Sequence, residues 1–259
     1  MADYLAVCEE AARAGGEVLL SWVGRFSVRE KGPADLVTQA DLAAQEAIKK
    51  VVLGHFPEHQ FVGEEDAGTG LLKAEKCWIV DPLDGTTNYV HRIPHYAVSV
   101  ALAEHGRPRV GVIFDPVSRE CFSAERGQGA FLNGTRLQTS TATDLSQALV
   151  AASFSARVDP QSVEIDQFNA ALLRCQAVRR TGSAALNLCY VAAGRFDAFW
   201  ALSTKAWDVA AGVLLVEEAG GTITDLAGQP FDIALPHPVA SATPELHKQF
   251  LELLNYGGR

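Results

Sequence analysis

Apolar positions along this chain follow two periods, and the alternation between them marks out its elements. Leu5, Cys8, Ala12, Leu19 and Trp22 recur at helical spacing with Glu and Arg between them, which predicts an amphipathic helix over residues 2–23. Ser27 to Gly32 reads as a short strand running into a turn, and Lys31 to Asp35 as a polar loop before Leu36-Val37-Thr38. A second helix is predicted from Asp41 to about Gly54, with Leu42, Ile48, Val51 and Val52 on one face and Lys49 and Lys50 on the other. Phe61-Val62 is a short strand leading into Gly63-Glu64-Glu65-Asp66. Trp78-Ile79-Val80 reads as a buried strand that stops at Asp81, because Pro82 cannot donate to a sheet ladder.

Beyond His91 the period shortens to that of strands. Apolar runs at Tyr96–Leu102, Arg109–Phe114, Glu120–Ser123 and Gly129–Leu132 are separated by turn signals such as Asp115-Pro116, Arg126-Gly127-Gln128-Gly129 and Asn133-Gly134, which predicts an antiparallel meander. The Thr- and Ser-rich stretch Thr139–Ser146 is the expected boundary between an N-terminal α+β domain, residues 1–140, and a C-terminal α/β domain, residues 141–259. The second half alternates: strands at 148–152, 177–179, 196–200, 222–224 and 239–241, and helices at 162–173, 183–192, 207–219 and 244–254. That order predicts a parallel or mixed sheet with helical cover.

Composition narrows the classes. With 259 residues, 48% of them hydrophobic, the chain can bury a large core. A net charge of −9 argues against a nucleic-acid surface. The five cysteines are odd in number and widely spaced, without a C-x-x-C pair, which predicts reduced thiols in a cytoplasmic protein. The N-terminal residues lack a signal pattern and no apolar run approaches about 18 residues, so neither export nor a membrane span is expected. Nucleotide motifs are absent: Gly127-x-Gly129 lacks the third glycine and opens no helix, no P-loop run occurs, and His91, His95 and His105 lack zinc-helix spacing.

The chemistry concentrates at Asp81-Pro82-Leu83-Asp84-Gly85-Thr86-Thr87-Asn88. Two carboxylates three residues apart at a strand end can face one cation, and Gly85-Thr86-Thr87 can open a helix whose N–H groups favour phosphate. Metal-assisted phosphoryl chemistry needs that pairing. The other candidates each have an ordinary explanation. Asp41 sits where acids cap helices, Glu64-Glu65-Asp66 could be a solvated loop, and Lys31 could be a surface cation or a phosphate contact. Ser183, after Gly182, could cap a helix or meet a substrate. Asp208 begins a helix whose remainder is almost wholly apolar, as a dipole-stabilising residue or a metal ligand.

Glu64-Glu65 after a glycine, the Asp81–Asn88 motif, and Trp207-Asp208-Val209-Ala210-Ala211-Gly212 followed by Glu218-Ala219-Gly220-Gly221 together resemble the inositol monophosphatase family, over nearly the whole chain. The resemblance implies a Mg²⁺-dependent, often lithium-sensitive phosphomonoesterase, commonly a homodimer, with a layered αβαβα fold of the inositol monophosphatase and fructose-1,6-bisphosphatase type. It implies that Glu64, Asp81 and the Leu83 carbonyl bind one Mg²⁺, that Asp81, Asp84 and Asp208 bind a second, and that Glu65 supports a third. It further implies that Thr86, positioned by Asp41, orients the attacking water, that Gly85 and Thr86 N–H groups hold phosphate, and that Gly182, Ser183, Ala184 and Asp208 contact substrate. Ala201 departs from the pattern, since many inositol-specific members carry a glutamate there. Without that acceptor the expected discrimination among polyols weakens, so histidinol phosphate, fructose bisphosphate and other sugar phosphates stand beside inositol monophosphate. A regulatory binding protein that retains the fold is the alternative of a different class.

Overall fold

The first predicted helix is α1 (Tyr4–Trp22), whose start is capped by Asp3 through the N–H groups of Leu5 and Ala6. The computed structural model describes residues 3–32, 35–66, 74–155 and 158–256, with the side chains of 30–32, 35 and 256 outside that description. A hairpin of β1 (Val28–Gly32) and β2 (Asp35–Thr38) leads into α2 (Gln39–His55), then β3 (Gln60–Gly63), β4 (Lys76–Asp84) and the short α3 (Thr86–Val90). The meander is β5 (Ala97–Glu104), β6 (Arg107–Asp115), β7 (Glu120–Glu125), β8 (Gly129–Leu132) and β9 (Thr135–Arg136). There follow β10 (Leu149–Ser153), α4 (Val163–Arg174), β11 (Ala177–Arg179), α5 (Ala184–Ala192), β12 (Ala198–Ala201), α6 (Ala206–Glu218), β13 (Thr222–Thr224), β14 (Val239–Ser241) and α7 (Pro244–Tyr256).

The strands form a seven-stranded sheet in sequential order from β3 to β9, antiparallel except for the β3–β4 pair, and a five-stranded mixed sheet ordered β11-β10-β12-β14-β13. Period-two alternation decides what each face meets. On β4, Trp78 and Val80 pack with α1 and α2, whereas Cys77 and Ile79 pack with α5 and α6. On β12, Phe199 and Ala201 face α5 and α6, and Ala198 and Trp200 pack with α7. The result is an αβαβα stack of helix pair, sheet, helix pair, sheet, helix pair. The middle pair explains the apolar run after Asp208: with a sheet on either side, α6 has no solvent face to keep polar.

Close approach in this middle layer depends on glycine. A Cβ at Gly111 of β6 would lie 2.8 Å from the Ala211 Cα on α6, so the added methyl would meet backbone that cannot rotate away. Gly111→Ala is therefore expected to cost about 1–3 kcal/mol of stability, measured as a lower urea midpoint. An unchanged midpoint would mean that α6 can ride further from the sheet.

One expectation is corrected. The strand that was to stop at Asp81 continues to Asp84, with an irregularity in its pairing to β5 between Asp81 and Asp84. Pro82 costs no ladder hydrogen bond at such a bulge, and the bulge re-aims the two carboxylates that flank it.

Candidate active site

The bulge at the end of β4 sets the site. Asp81 is buried and accepts a hydrogen bond from the Leu83 N–H at 2.9 Å, which folds the chain back toward Asp84. Gly85 then adopts φ 99°, and a Cβ there would approach the His95 carbonyl to 3.1 Å, so the turn into α3 requires glycine. Parallel pairing aligns Gly63 with Val80 and so delivers Glu64 beside Asp81.

Helix α2 approaches this turn with two side chains one turn apart. Asp41 accepts from the Thr38 N–H at 2.9 Å and the Thr38 hydroxyl at 2.6 Å, and its other oxygen lies 3.4 Å from the Thr86 hydroxyl. Capping and site contact, posed by the sequence as alternatives, are both present. Gln45 is buried and its Oε1 accepts the Glu65 N–H at 3.1 Å, fixing the acidic turn. The Thr86 hydroxyl also lies 3.1 Å from the Leu83 carbonyl.

From the other half of the chain, Ser183 caps α5 through the Leu186 N–H and donates to Asp84 Oδ2 at 2.5 Å. The Ala185 N–H donates to the same oxygen at 2.7 Å. The α5 N-terminus therefore already supports a negative charge at Asp84. Asp208, at the start of α6, accepts from the Lys205 N–H at 2.8 Å. Asn88 clamps the two halves together by donating to the carbonyls of His95, at 2.7 Å, and Thr181, at 2.9 Å.

These groups border a cleft of about 560 Å³ lined by Glu64, Asp81, Leu83, Asp84, Gly85, Thr86, Gly182, Ala184 and Asp208, among others. A cavity of about 580 Å³ between β13 and α7 collects no such cluster among the described residues, where Glu252 is its one acid. Ser183 stands behind the cleft wall, fully buried, and Asp41 reaches it through Thr86. Glu65 follows Glu64 in a half-buried turn but is not among the residues lining the cleft. The Lys31 side chain lies outside the described residues.

The acids disturb one another. Burial pushes the Asp81 carboxyl well above its usual range, and Glu64, Asp84 and Asp208 add to the effect. Burial lifts Asp208 to about 8, with Asp84 the next cause, and Asp84 itself to about 6 against the pull of Ser183, Ala185 and Ala184. Among the described residues no three His, Cys, Asp or Glu side chains already stand as a metal-ligand group. Each aspartate is engaged with an internal donor: Asp81 with the Leu83 N–H, Asp84 with Ser183 and the Ala185 N–H, and Asp208 with the Lys205 N–H.

Gln45, Asn88 and Ser183's bond to Asp84 were not foreseen as site contacts. Gln45 had a signal, its i+4 spacing from Asp41 on one helix face. Asn88 had none, since its partner Thr181 is 93 residues away.

Comparison with known proteins agrees with this fold. The model of the inositol monophosphatase family matches residues 1–257. The chain is 41% identical over 252 residues to the Nus factor SuhB of Pseudomonas aeruginosa, covering 94% of this chain and 93% of that protein. It is 38% identical over 259 residues to the inositol monophosphatase of Mesembryanthemum crystallinum, covering 97% and 96% of the two chains. Among solved structures, the extragenic suppressor protein suhB of Bartonella henselae superposes with a TM-score of 0.90 at 36% identity, over 97% of this chain and 98% of that one. The Thermotoga maritima IMPase gives 0.90 at 32% identity over 99% and 98%. With the family model matching residues 1–257 and the layered fold and these relatives in agreement over almost its full length, the chain belongs to the inositol monophosphatase family.

Proposed function

We propose that the protein hydrolyses a small phosphate monoester with Mg²⁺, inositol monophosphate first among the candidates and other sugar phosphates or histidinol phosphate after it. The observation that carries this reading is the convergence of Glu64, Asp81, Asp84 and Asp208 on the cleft that Gly85 and Thr86 also line. The donor set fits a hard divalent cation, being all oxygen and strongly anionic. Among the described residues the one cation lining the cleft, Arg180, is exposed and lies over the Phe154 ring at 5.2 Å. A phosphate dianion would otherwise face uncompensated carboxylates, each pair repelling by about 4 kcal/mol at about 4 Å and an effective dielectric of roughly 20.

Glu64, Asp81, the Leu83 carbonyl, Asp84 and Asp208 would hold the ions, with Glu65 supporting a third. When bound, Mg²⁺ neutralises charge on phosphoryl oxygens and makes water a stronger acid. The chain's own contribution is orientation. The N–H groups of Gly85 and Thr86 hold the phosphate at the start of α3. The Thr86 hydroxyl directs its proton to Asp41 or the Leu83 carbonyl, which leaves Oγ1 an acceptor for a proton of the attacking water. Burial raises the Asp41 carboxyl, which makes it a better proton acceptor.

The test is phosphate release from inositol 1-phosphate, histidinol phosphate, fructose 1,6-bisphosphate and related esters, with Mg²⁺ and with chelator. Turnover that requires the metal is expected; turnover indifferent to chelator would refute the mechanism. Gln45→Ala should raise the Mg²⁺ concentration needed for half-maximal rate by about 10-fold, with a smaller effect at saturating metal, since Gln45 fixes the turn that carries Glu64 and Glu65. An unaltered Mg²⁺ requirement would remove Gln45 from the site. The name Nus factor SuhB, carried by relatives 41% identical, favours a second reading as a regulatory factor. Hydrolysis of none of the esters would favour that reading over the first.

A further inference from the structure

Two hydroxyls in the cleft wall, those of Ser203 and Thr204, lie between β12 and α6. Both have their protons committed behind the wall. Ser203 Oγ donates to Glu164 Oε1 at 3.3 Å, and Thr204 Oγ1 donates to the Pro236 carbonyl. A hydroxyl carries one proton and two lone pairs, so what remains for a ligand is acceptor capacity alone.

Glu164 sits in the first turn of α4, where the helix dipole alone favours an acid. The dipole does not account for its burial, 7% exposed, or for its contacts across the fold. The Ser155 N–H donates to the same Oε1 at 3.3 Å and the Ser155 hydroxyl to Oε2 at 3.2 Å, so the carboxylate is held as an acceptor and Ser203 meets it 39 residues away in sequence.

We propose that Ser203, oriented by Glu164, determines specificity by accepting a hydrogen bond from a hydroxyl on the alcohol part of the ester. Glu164 touches no substrate and is a positioning residue. The assignment rests on the phosphatase reading above.

The experiment compares kcat/KM for glycerol 2-phosphate and isopropyl phosphate, esters of one carbon skeleton with and without hydroxyls, under saturating Mg²⁺. The unmodified chain is expected to prefer the glycerol ester, and Ser203→Ala to shrink that ratio by about three- to tenfold. Glu164→Gln should shrink it in the same sense, because a carboxamide N–H can turn the Ser203 proton toward the ligand. A merely structural role would lower both rates together and leave the ratio unmoved. A ratio near one in the unmodified chain, or an unchanged ratio in Ser203→Ala, overturns the proposal. An unchanged ratio in Glu164→Gln alone overturns the positioning role. Hydrolysis of inositol 1-phosphate but of neither of these two esters would overturn this assignment alone, whereas failure on all of them would sink the phosphatase reading and this assignment with it.

Discussion

Asp81→Asn is expected to reduce phosphate release by about 10³-fold or more while raising the thermal midpoint of the metal-free protein. Both effects have one cause. Asp81 is buried among Glu64, Asp84 and Asp208, and its charge is unfavourable there unless a cation shares the cleft. Asparagine is a near-isostere that keeps the oxygen accepting the Leu83 N–H and carries no charge to bury. Without metal it should relieve repulsion. With metal, a ligand proposed to touch two ions is lost, and the several kcal/mol of charge stabilisation such ions supply amounts to about three powers of ten in rate or more. Phosphate release and thermal scans in chelator measure the two arms. Near-normal turnover, or a lower metal-free midpoint, would contradict the assignment.

The second large effect is on pH dependence. Asp208 is raised to about 8, Asp84 to about 6 and Asp81 well above its ordinary range, all chiefly by burial. Raised carboxyls keep protons in the folded state that the unfolded chain has released, so the folded state binds more protons through this window. Stability of the metal-free protein should therefore be greatest below about pH 4, as far as these groups are concerned, and fall by on the order of several kcal/mol as pH rises toward 8. Mg²⁺ that binds the ionised forms should flatten the decline. Thermal midpoints at several pH values, in chelator and in Mg²⁺, test this; a metal-free midpoint that rises steadily from pH 5 to 8 would reverse the sign and sink the idea.

The sequence made legible whatever packing periodicity dictates. The apolar run of β4 and the almost wholly apolar run of α6 pointed to buried elements, and the structure places both between layers. Periodicity could not reveal that β4 passes through Pro82, because a bulge is a local departure from the very pattern being read. Nor could it choose between cap and site residue for Asp41 and Ser183, since a helix start asks for the same chemistry as either role: Asp41 caps α2 and reaches the cleft through Thr86, whereas Ser183 caps α5 and holds Asp84 from behind the cleft wall. Contacts such as Asn88 with Thr181 and Glu164 with Ser203 arise only when layers meet. Nothing local specifies them. Ala201 is buried at the end of β12 and leaves recognition of the alcohol to other residues of the wall.

The most direct measurement of the central claim, that four acids distant in sequence share cations, is a crystal soaked in Mn²⁺ and recorded at the manganese edge. Anomalous peaks should stand beside Asp81, with Glu64 on one ion and Asp84 and Asp208 on another. A cleft without a peak at Mn²⁺ concentrations that support turnover, or peaks confined to other surfaces, would contradict the account.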